Sequence, residues 1–550
     1  MKQIDIIRTY AQKRCLIVDD LAQARAHLKR IIVDYGAAKT DTAGNAQEAI
    51  DLCQKHSYDL VISDYNLGQG KNGQQLLEEL RFHKLLKNTA LFVMLTAESS
   101  SHYVLHALEY EPDEFLQKPV SHDSLRPRLD QALLKNEYLQ DIKSALDSNN
   151  IDKAIKVAAA LAPKASRFQN DVRKILAELL LKQHRSDEAE AIYALLDPTR
   201  LPVWAELGLA RAHYQRAEFD QAETRLQKII EQHQYCVEAH DLLAKIYQNT
   251  HRAQKSQQAL LNAVKISPRS AQRQRELGRA STLLDDDQTS IHAYRSALRH
   301  AKNSCHEVAD DFLNLADSLI RQAKKSPSES AKKLTEEAQQ QLASAEKRYT
   351  HQPIVTMRNH LIKADLLEEQ GQEQQAIDAV AKALDIHATM KYSVIGNTSY
   401  ELCIDCAKTF MNRGCGDEGE AILQELARLN QDPELAIDID KLLREPQTKE
   451  GIAYAASCNK RGIEHYESGD IELAIDVFRE VLRELPNHIG LNLNLIQALT
   501  SKAKNKQLSV AERLILDSAF QRVGEPAENA ACFQRYQFLR KRYDKLSAAQ

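Results

Sequence analysis

The first 130 residues alternate between short apolar runs and longer amphipathic stretches, and this alternation limits the folds open to the chain. Five runs rich in β-branched or aromatic residues are predicted strands, listed here by number: 15–18, 37–42, 60–63, 91–95 and 114–117. The stretches between them have helical periodicity. Strands separated by helices form βαβ units with parallel strands and helices on both faces of the sheet. We therefore predict a doubly wound α/β domain with a five-stranded parallel sheet.

Polar residues stand where these predicted strands end. Asp19 and Asp20 follow the first strand, Asp64 the third, Thr96 the fourth, and Lys118 comes just after the fifth. In an open parallel sheet, ligands bind outside the carboxyl ends of the strands. The sequence therefore predicts that these side chains form one site.

The predicted site has a surplus of negative charge. Carboxylates that converge within a few ångströms disfavour one another's ionisation unless a cation lies between them. Mg²⁺ suits such a site best, because it is held by one or two carboxylates together with phosphoryl oxygens and water. We expect Asp20 and Asp64 to bind Mg²⁺ directly, Asp19 to bind it through water, and the backbone carbonyl of Asn66 to complete the protein ligands. Asp64 is then the nucleophile that takes a phosphoryl group, which Lys118 and the Thr96 hydroxyl contact.

The segments CLIVDD, ISDYN, MLTAE and FLQKP resemble the motifs of the receiver domains of bacterial two-component response regulators, over about residues 13–134. The resemblance implies a flavodoxin-like fold and a cis peptide bond between Lys118 and Pro119. It also implies that Asp64 is the phosphoacceptor and that Asp19 and Asp20 are the acidic metal-binding pair. Thr96 and Phe115 would be the switch pair, and Lys118 the lysine that contacts the phosphate.

The sequence departs from the family pattern in the loop after Asp64. Gly68 stands where the family usually has proline, so a looser loop is expected. The two positions that set phosphoryl lifetime in the family are Asn66 and Glu98 here. This pairing looks like that of the chemotaxis response regulator, which implies a fairly short-lived aspartyl phosphate.

Beyond about residue 136 the pattern is helix after helix, with self-similarity at a step of about 34 residues. The pairs Leu209-Ala210, Leu243-Ala244 and Leu277-Gly278 follow this step, and the clearest unit consists of Gly462, Tyr466, Gly469, Ala474, Phe478 and Pro486. The pattern resembles tetratricopeptide repeats, with about seven units. Residues 1–130 are thus the expected receiver domain, 131–165 a helical linker or first hairpin, 166–500 an all-α repeat solenoid, and 501–550 capping helices. For residues 311–394 an ordinary helical bundle is the alternative.

Three basic residues recur at one position of the predicted repeats. Arg211, Lys245 and Arg279 each follow the small Ala or Gly by one residue. If they line the concave face of a solenoid, they favour an acidic segment of a protein partner. The alternative is ordinary solvated surface charge.

Composition excludes several classes of protein. The chain has 73 Lys and Arg against 77 Asp and Glu and a net charge of −4, so binding of nucleic acid by a broad basic surface is not expected. The sequence has no apolar run long enough for a signal peptide or a membrane-spanning helix, which predicts a cytoplasmic protein. Nine scattered cysteines fit reduced thiols rather than a disulfide framework.

The sequence therefore predicts a response regulator of a bacterial phosphorelay. A histidine kinase or phosphotransfer protein would phosphorylate Asp64 and thereby switch a protein-binding repeat module, and the only catalysis expected is the receiver's own phosphorylation and dephosphorylation. One alternative is a phosphorylation-independent scaffold with a degenerate receiver. Another is a phosphatase of the haloacid dehalogenase type, but that class has a second acid where this chain has Asn66.

Overall fold

The computed structural model describes most of the chain, in two compact units formed by residues 1–322 and 323–550. The described residues are 10–37, 39–97, 112–250, 252–391, 394–395, 398–413, 415–430, 433–444, 449–485, 488–505, 510–524 and 533–548. Glu98, the helix predicted from residue 100 to 110, and Pro486 lie outside them.

A five-stranded parallel sheet forms the first part of the chain, which confirms the predicted fold class. Its strands are β1 (Arg14–Val18), β2 (Lys39–Ala43), β3 (Leu60–Asp64), β4 (Leu91–Thr96) and β5 (Glu114–Gln117), in the order β2-β1-β3-β4-β5. The register pairs Val18 with Ser63, Asp64 with Leu95, and Thr96 with Gln117, so the strands end along one edge. The second strand begins two residues later than predicted.

Helices cover both faces of this sheet. They are α1 (Ala22–Asp34), α2 (Ala46–Lys55), α3 (Gly73–Phe82) and α4 (His122–Tyr138). Leu16 and Val18 of β1 pack with residues of α2 and α3, whereas Cys15 and Ile17 pack with residues of α1 and α4. Alternate residues of a strand point to opposite faces, so β1 is buried on both sides.

Polar caps fix the starts of three of these helices. Asn45 caps α2, Asn72 and Gln75 form a capping box at α3, and Ser121 and Ser124 form one at α4. The sequence after the fifth predicted strand favours a helix from about Ser124 with Pro127 in its first turn, and this prediction is wrong. The helix begins at His122, which places Pro127 in the second turn.

After α4 the first unit continues as helices only. They are α5 (Gln140–Asp147), α6 (Ile151–Leu161), α7 (Gln169–Lys182), α8 (Ser186–Tyr193), α9 (Val203–Gln215), α10 (Phe219–Gln232), α11 (Val237–Asn249), α12 (Ala253–Ile266), α13 (Ala271–Thr282), α14 (Asp287–Ala301) and α15 (Ala309–Lys324). Successive helices pack in pairs, such as α11 with α12 and α13 with α14.

The described residues of the second unit are also predominantly helical. Its helices are α16 (Ser328–Arg348), α17 (Pro353–Glu369), α18 (Glu373–Thr389), α19 (Tyr400–Asn412), α20 (Gly416–Leu429), α21 (Pro433–Arg444), α22 (Lys449–Glu467), α23 (Ile471–Glu484), α24 (Ile489–Asn505), α25 (Val510–Val523) and α26 (Phe533–Ala548). Across the part of the chain that the structure describes, no helix has the length and apolarity needed to cross a membrane. The eight cysteines described there are all thiols.

Two helix pairs touch where a glycine of the first helix meets an aromatic ring sixteen residues later. A Cβ atom added to Gly278 would lie 2.7 Å from the ring of Tyr294, and one added to Gly462 would lie 2.4 Å from the ring of Phe478. These distances are shorter than any van der Waals contact, so only glycine lets the paired helices approach this closely.

The turn between paired helices repeats one backbone conformation. In five helix pairs, the first helix contains a small residue, and the residue seven positions later has a positive φ. The small residues are Ala177, Ala210, Gly278, Ala364 and Gly462. The residues with positive φ are His184, Ala217, Asp285, Gly371 and Gly469, with φ between 54° and 89°. The left-handed conformation ends the first helix of each pair in the same way, even where the residue is not glycine.

Candidate functional site

The structure brings three carboxylates together at the carboxyl edge of the sheet. Asp19 and Asp20 follow β1, and Asp64 is the last residue of β3. Asp19 is fully buried, Asp64 is 8% exposed, and Asp20 is exposed. One carboxylate oxygen from each lies within 4.8 Å of the others. The three acids therefore form one pocket with an entrance at Asp20.

Lys118 lies between the two buried acids. Its Nζ is 2.8 Å from Oδ2 of Asp19 and 2.8 Å from Oδ2 of Asp64. The backbone N–H of Lys118 donates to the carbonyl of Thr96, and the peptide bond to Pro119 is cis, as the family resemblance implied. One ammonium group thus pairs with two carboxylates.

The pKa values in the pocket reflect this shared charge. Burial raises the pKa of Asp64, and the negative charge of Asp19 adds to the effect, while hydrogen bonding and attraction to Lys118 oppose it without cancelling it. Burial alone would lower the pKa of Lys118, but its bonds to Asp19 and Asp64 outweigh burial and raise it. A further positive charge would therefore favour the ionised form of Asp64.

Asp19 is held in place by contacts that the sequence analysis missed. Its Oδ1 accepts a hydrogen bond from the backbone N–H of Leu21 at 2.9 Å. Its carbonyl accepts one from Nη1 of Arg25 at 2.7 Å, and the same nitrogen lies 3.2 Å from the carbonyl of Asp20. Arg25 stands on α1, and no spacing rule indicates from sequence that its side chain turns back to the strand end.

Gly73 is a second residue that the sequence analysis did not assign to the site. A Cβ atom there would lie 2.1 Å from the carbonyl oxygen of Asp64, which Ser63 Oγ also contacts at 2.9 Å. The N–H of Gly73 donates to the carbonyl of Tyr65 at 2.8 Å. The start of α3 is therefore packed directly on the backbone of Asp64.

The loop after Asp64 uses the glycine that replaces the usual proline. Gly68 has φ of +76°, a conformation closed to proline, whose ring fixes φ near −65°. Its N–H donates to Oδ1 of Asn66 at 3.3 Å, and Asn66 is exposed. The replacement therefore fits the backbone of this loop.

The residues of the predicted switch pair lie on neighbouring strands. Thr96 ends β4 and is 2% exposed. Phe115 of β5 pairs with Met94 and is half-buried against the core that β1 shares with α2 and α3.

The three basic residues of the predicted repeat ladder differ in environment. Arg211 and Lys245 are exposed. Arg279 is partly buried, with its guanidinium 3.5 Å from Glu276 and 3.9 Å from Asp310. The structure therefore pairs Arg279 with carboxylates of the chain itself.

Comparison with known proteins covers the sheet-containing part of the chain. Residues 15–130 match the family described as the response regulator receiver domain. Chemotaxis protein CheY-3 of Vibrio cholerae is 29% identical over 118 residues, which are 22% of this chain and 89% of that protein. Response regulator Rre1 of Synechocystis is 33% identical over 129 residues, which are 24% of this chain and 55% of that protein.

A similar solved structure is that of response regulator protein TrrA from Thermotoga maritima. It is 31% identical, covers 22% of this chain and 100% of its own, and has a TM-score of 0.20. The family match coincides with the parallel sheet, the acidic pocket and the lysine that joins two of its acids. Residues 15–130 are therefore a response regulator receiver domain, and a long all-helical region follows it.

Proposed function

We propose that this protein is a response regulator of a bacterial phosphorelay, phosphorylated on Asp64 by a histidine kinase or phosphotransfer protein. The observation that carries the proposal is the pair of 2.8 Å contacts from Lys118 to Asp19 and Asp64, beside the exposed Asp20. Asp64 is buried enough to lose most of its hydration but still reaches the pocket entrance. Response regulators are usually cytoplasmic, and this proposal places the protein in the cytoplasm.

The donor atoms of the pocket suit Mg²⁺. Carboxylate oxygens from Asp19, Asp20 and Asp64 converge, and hard divalent cations prefer oxygen ligands. Burial raises the pKa of Asp64 despite the contact with Lys118, and a bound cation would favour its ionised form. These three residues and the carbonyl of Asn66 would hold Mg²⁺, which would neutralise charge on the phosphoryl oxygens. The TrrA structure is described as a complex with Mg(2+)-BeF.

The chain's own groups have separate parts in the transfer. A carboxylate oxygen of Asp64 attacks phosphorus, the bond from phosphorus to the donor's histidine nitrogen breaks, and that nitrogen keeps the electron pair. Lys118 exchanges its contact with Asp64 for one with the transferred phosphoryl group. The Thr96 hydroxyl donates to a phosphoryl oxygen, and Phe115 moves inward with it. Asn66 and Glu98 set the phosphoryl lifetime, and no other substrate is turned over.

The output module in this proposal is a tetratricopeptide-like solenoid of about seven repeats over residues 166–500. Residues 131–165 link it to the receiver of residues 1–130, and residues 501–550 cap it. Two regularities support the repeat: the two glycine-to-aromatic contacts across paired helices and the positive φ seven residues after five of the small residues. Such solenoids bind protein segments. Arg211, Lys245 and, more weakly, the already paired Arg279 would favour an acidic one.

Phosphorylation is tested by incubating the full-length protein with acetyl phosphate and Mg²⁺ and measuring the intact mass. The wild type should gain one phosphoryl group, whereas Asp64→Asn and Asp64→Ala should gain none. Asp123→Asn, at a fully exposed carboxylate, is the matched control and should label like the wild type. Labelling of Asp64→Asn at the wild-type level would reject the assignment.

The output is tested separately, by partner capture with and without beryllofluoride and Mg²⁺. Capture by the wild type should change when beryllofluoride is added, and capture by Asp64→Asn should not. Equal capture by both proteins under both conditions would favour the phosphorylation-independent scaffold instead. Reversal of charge at Arg211 and Lys245 should weaken capture and reduce its salt dependence.

A further inference from the structure

A second group of potential metal ligands lies away from the phosphorylation site, where α3 of the receiver meets the loop between α14 and α15. Nε2 of Gln75 lies 3.4 Å from the carbonyl of Lys302, and Nε2 of His306 lies 3.3 Å from Oε2 of Glu78. Cys305 completes the group. One ligand atom each from Glu78, Cys305 and His306 lies within 4.8 Å of the other two.

Glu78 is oriented toward this group by its own helix. Its side chain is only 5% exposed, and a buried carboxylate needs partners to offset lost hydration. Nε2 of Gln74, one turn earlier on α3, donates to Oε1 at 2.8 Å. The other oxygen, Oε2, faces His306. Outer hydrogen bonds of this kind fix the orientation of ligands in metal sites.

The loop that carries Cys305 and His306 is held by hydrogen bonds to its backbone. Ser304 Oγ donates to the carbonyl of Ala301 at 2.8 Å and accepts from the N–H of His306 at 3.2 Å. Nη2 of Arg275 donates to the carbonyl of His306 at 3.0 Å, and Arg275 forms a two-bond pair with the buried Asp311. These bonds hold the backbone that carries the thiol and the imidazole.

The geometry of these three donors points to a metal ion. Tetrahedral zinc with bonds of about 2.0–2.1 Å to nitrogen and oxygen separates two such ligands by about 3.4 Å. The Glu78 to His306 distance of 3.3 Å is close to this value. We propose that Glu78, Cys305 and His306 bind zinc, with a fourth position open to solvent. A thiolate, an imidazole and a carboxylate together select zinc over magnesium or calcium.

Solvent can reach the open position. Beside Glu78 and His306 lies a cavity of about 380 Å³, which Tyr65 and His300 also line. Cys305 lines a separate cavity on the side of Lys71 and His83. Zinc and a water ligand can therefore enter without unfolding of the loop.

A protonated His306 would compete with zinc for the two neighbouring ligands. Hydrogen bonds with Cys305 and with Glu78 raise the pKa of His306 to about 10, although burial opposes them. An imidazolium between a sulfur and a carboxylate is the competing state, and zinc must displace its proton. The contact between His306 and Glu78 is therefore present without a metal.

The proposed site would join the receiver to the helices that follow it. Glu78 belongs to α3, whose first residue, Gly73, packs on the backbone of Asp64, whereas Cys305 and His306 belong to the helical region. Zinc would therefore clamp α3 to that region within six residues of the contact with Asp64.

The experiment is metal binding by the purified full-length protein with excess Mg²⁺ present to occupy the acidic pocket. Equilibrium dialysis against micromolar zinc should give about one zinc ion per chain, with affinity at least about tenfold weaker in Cys305→Ser and in Glu78→Gln. With cobalt in place of zinc, the wild type should show a thiolate-to-cobalt charge-transfer band. Cys305→Ser should lack this band even if it still binds cobalt.

Matched controls separate this site from others. Cys415→Ser removes another partly exposed thiol and should leave the charge-transfer band unchanged. Asp64→Asn should keep the zinc site, because the acidic pocket contributes no sulfur. The proposal is overturned if the wild type retains no zinc, if the band persists in Cys305→Ser, or if zinc binding is lost in Asp64→Asn alone.

Discussion

Asp64 and Asp19 compete for one lysine, and this competition sets the electrostatics of the receiver pocket. Lys118 reaches both carboxylates at 2.8 Å, yet the pKa of Asp64 remains above its usual value because burial and Asp19 together outweigh the lysine. The pocket therefore holds Asp64 ionised at a cost in stability. A cation or a phosphoryl group with its cation would relieve this cost.

Asp64→Asn should stabilise the protein at neutral pH when divalent cations are removed. The folded-state pKa of Asp64 is raised, so the folded protein binds the proton more tightly than the unfolded chain. Stability should then fall as pH rises from the unfolded pKa, near 3.8, through the folded one. The variant should lack this decline, as measured by urea unfolding at several pH values.

Mg²⁺ provides the control for this prediction. It should raise the unfolding midpoint of the wild type more than that of Asp64→Asn, because the variant lacks one carboxylate ligand. A variant that is less stable than the wild type without divalent cations would show that the pair with Lys118 outweighs burial.

Gly73→Ala should destabilise the receiver by about 1–3 kcal/mol, the usual cost of forcing an extra methyl into a packed site. Its Cβ would meet the carbonyl oxygen of Asp64 at 2.1 Å, and this oxygen belongs to backbone that cannot move aside cheaply. Urea unfolding measures the loss. Gly44→Ala is the control, since the nearest atom lies 3.4 Å away at the end of the flexible Glu48 side chain. Equal stability of the two variants would contradict the close packing of α3 on Asp64.

At the scale of helices and strands, the short helix α5 is attached to the receiver by its last residue. Asp147 accepts hydrogen bonds from the backbone and side chain of Asn88 and of Thr89, at 2.5–3.2 Å. These residues immediately precede β4. The carboxylate therefore links the start of the helical region to the segment that leads into β4.

Asp147→Ala should lower the free energy of unfolding by about 1 kcal/mol, since the hydrogen bonds are solvent-exposed. Burial opposes ionisation of Asp147, but its bonds to Thr89 and Asn88 outweigh burial and lower its pKa. The contribution is thus present above the unfolded pKa and is lost as pH falls through the lower folded value. Unfolding at pH 7 and pH 3 measures this, with the exposed Glu137→Ala as control. Identical losses at both pH values would argue against the carboxylate's role.

Paired helices of the second unit depend on small residues facing aromatic rings. Gly462→Ala should cost about 1–3 kcal/mol, because its Cβ would lie 2.4 Å from Phe478. Phe478→Leu should recover part of this loss in the double variant, giving a coupling of about 0.5–3 kcal/mol. Gly416→Ala, with no atom within 4 Å of its Cβ, should be neutral or slightly stabilising. If the losses in unfolding free energy caused by Gly462→Ala and Phe478→Leu simply add in the double variant, the helices do not meet at this contact.

Features that neighbouring residues determine can be predicted from the sequence, whereas features that depend on the packing of distant segments cannot. The strands were predicted because apolar runs and the polar residues after them mark strand ends within a few positions. The helix pairs follow from the recurring step between small and aromatic residues. Arg25, Asp147 and the contact of Glu78 with His306 were not predictable, because each depends on how separate elements pack. Pro127 lies in the second turn rather than the first because the Ser121 capping box starts α4 two residues before Ser124.

At the scale of the whole molecule, the receiver belongs to the same compact unit as the helices through α15. In the proposed function, phosphorylation of Asp64 would reach the loop of residues 302–308 through α3, which packs on the backbone of Asp64 and contacts that loop. Moving a two-state element from about 1% to about 99% populated requires about 5.5 kcal/mol of differential stabilisation. If zinc also holds α3 as proposed, phosphorylation and zinc would each supply part of this stabilisation.

The identity of the acceptor carboxylate is the point on which this account depends most, and borohydride trapping tests it directly. Sodium borohydride reduces an aspartyl phosphate to homoserine, which peptide mass spectrometry locates in the sequence. After treatment with acetyl phosphate and Mg²⁺, homoserine is expected at position 64 alone. Homoserine at position 19 or 20, or its absence from a protein that has gained phosphate, would contradict it.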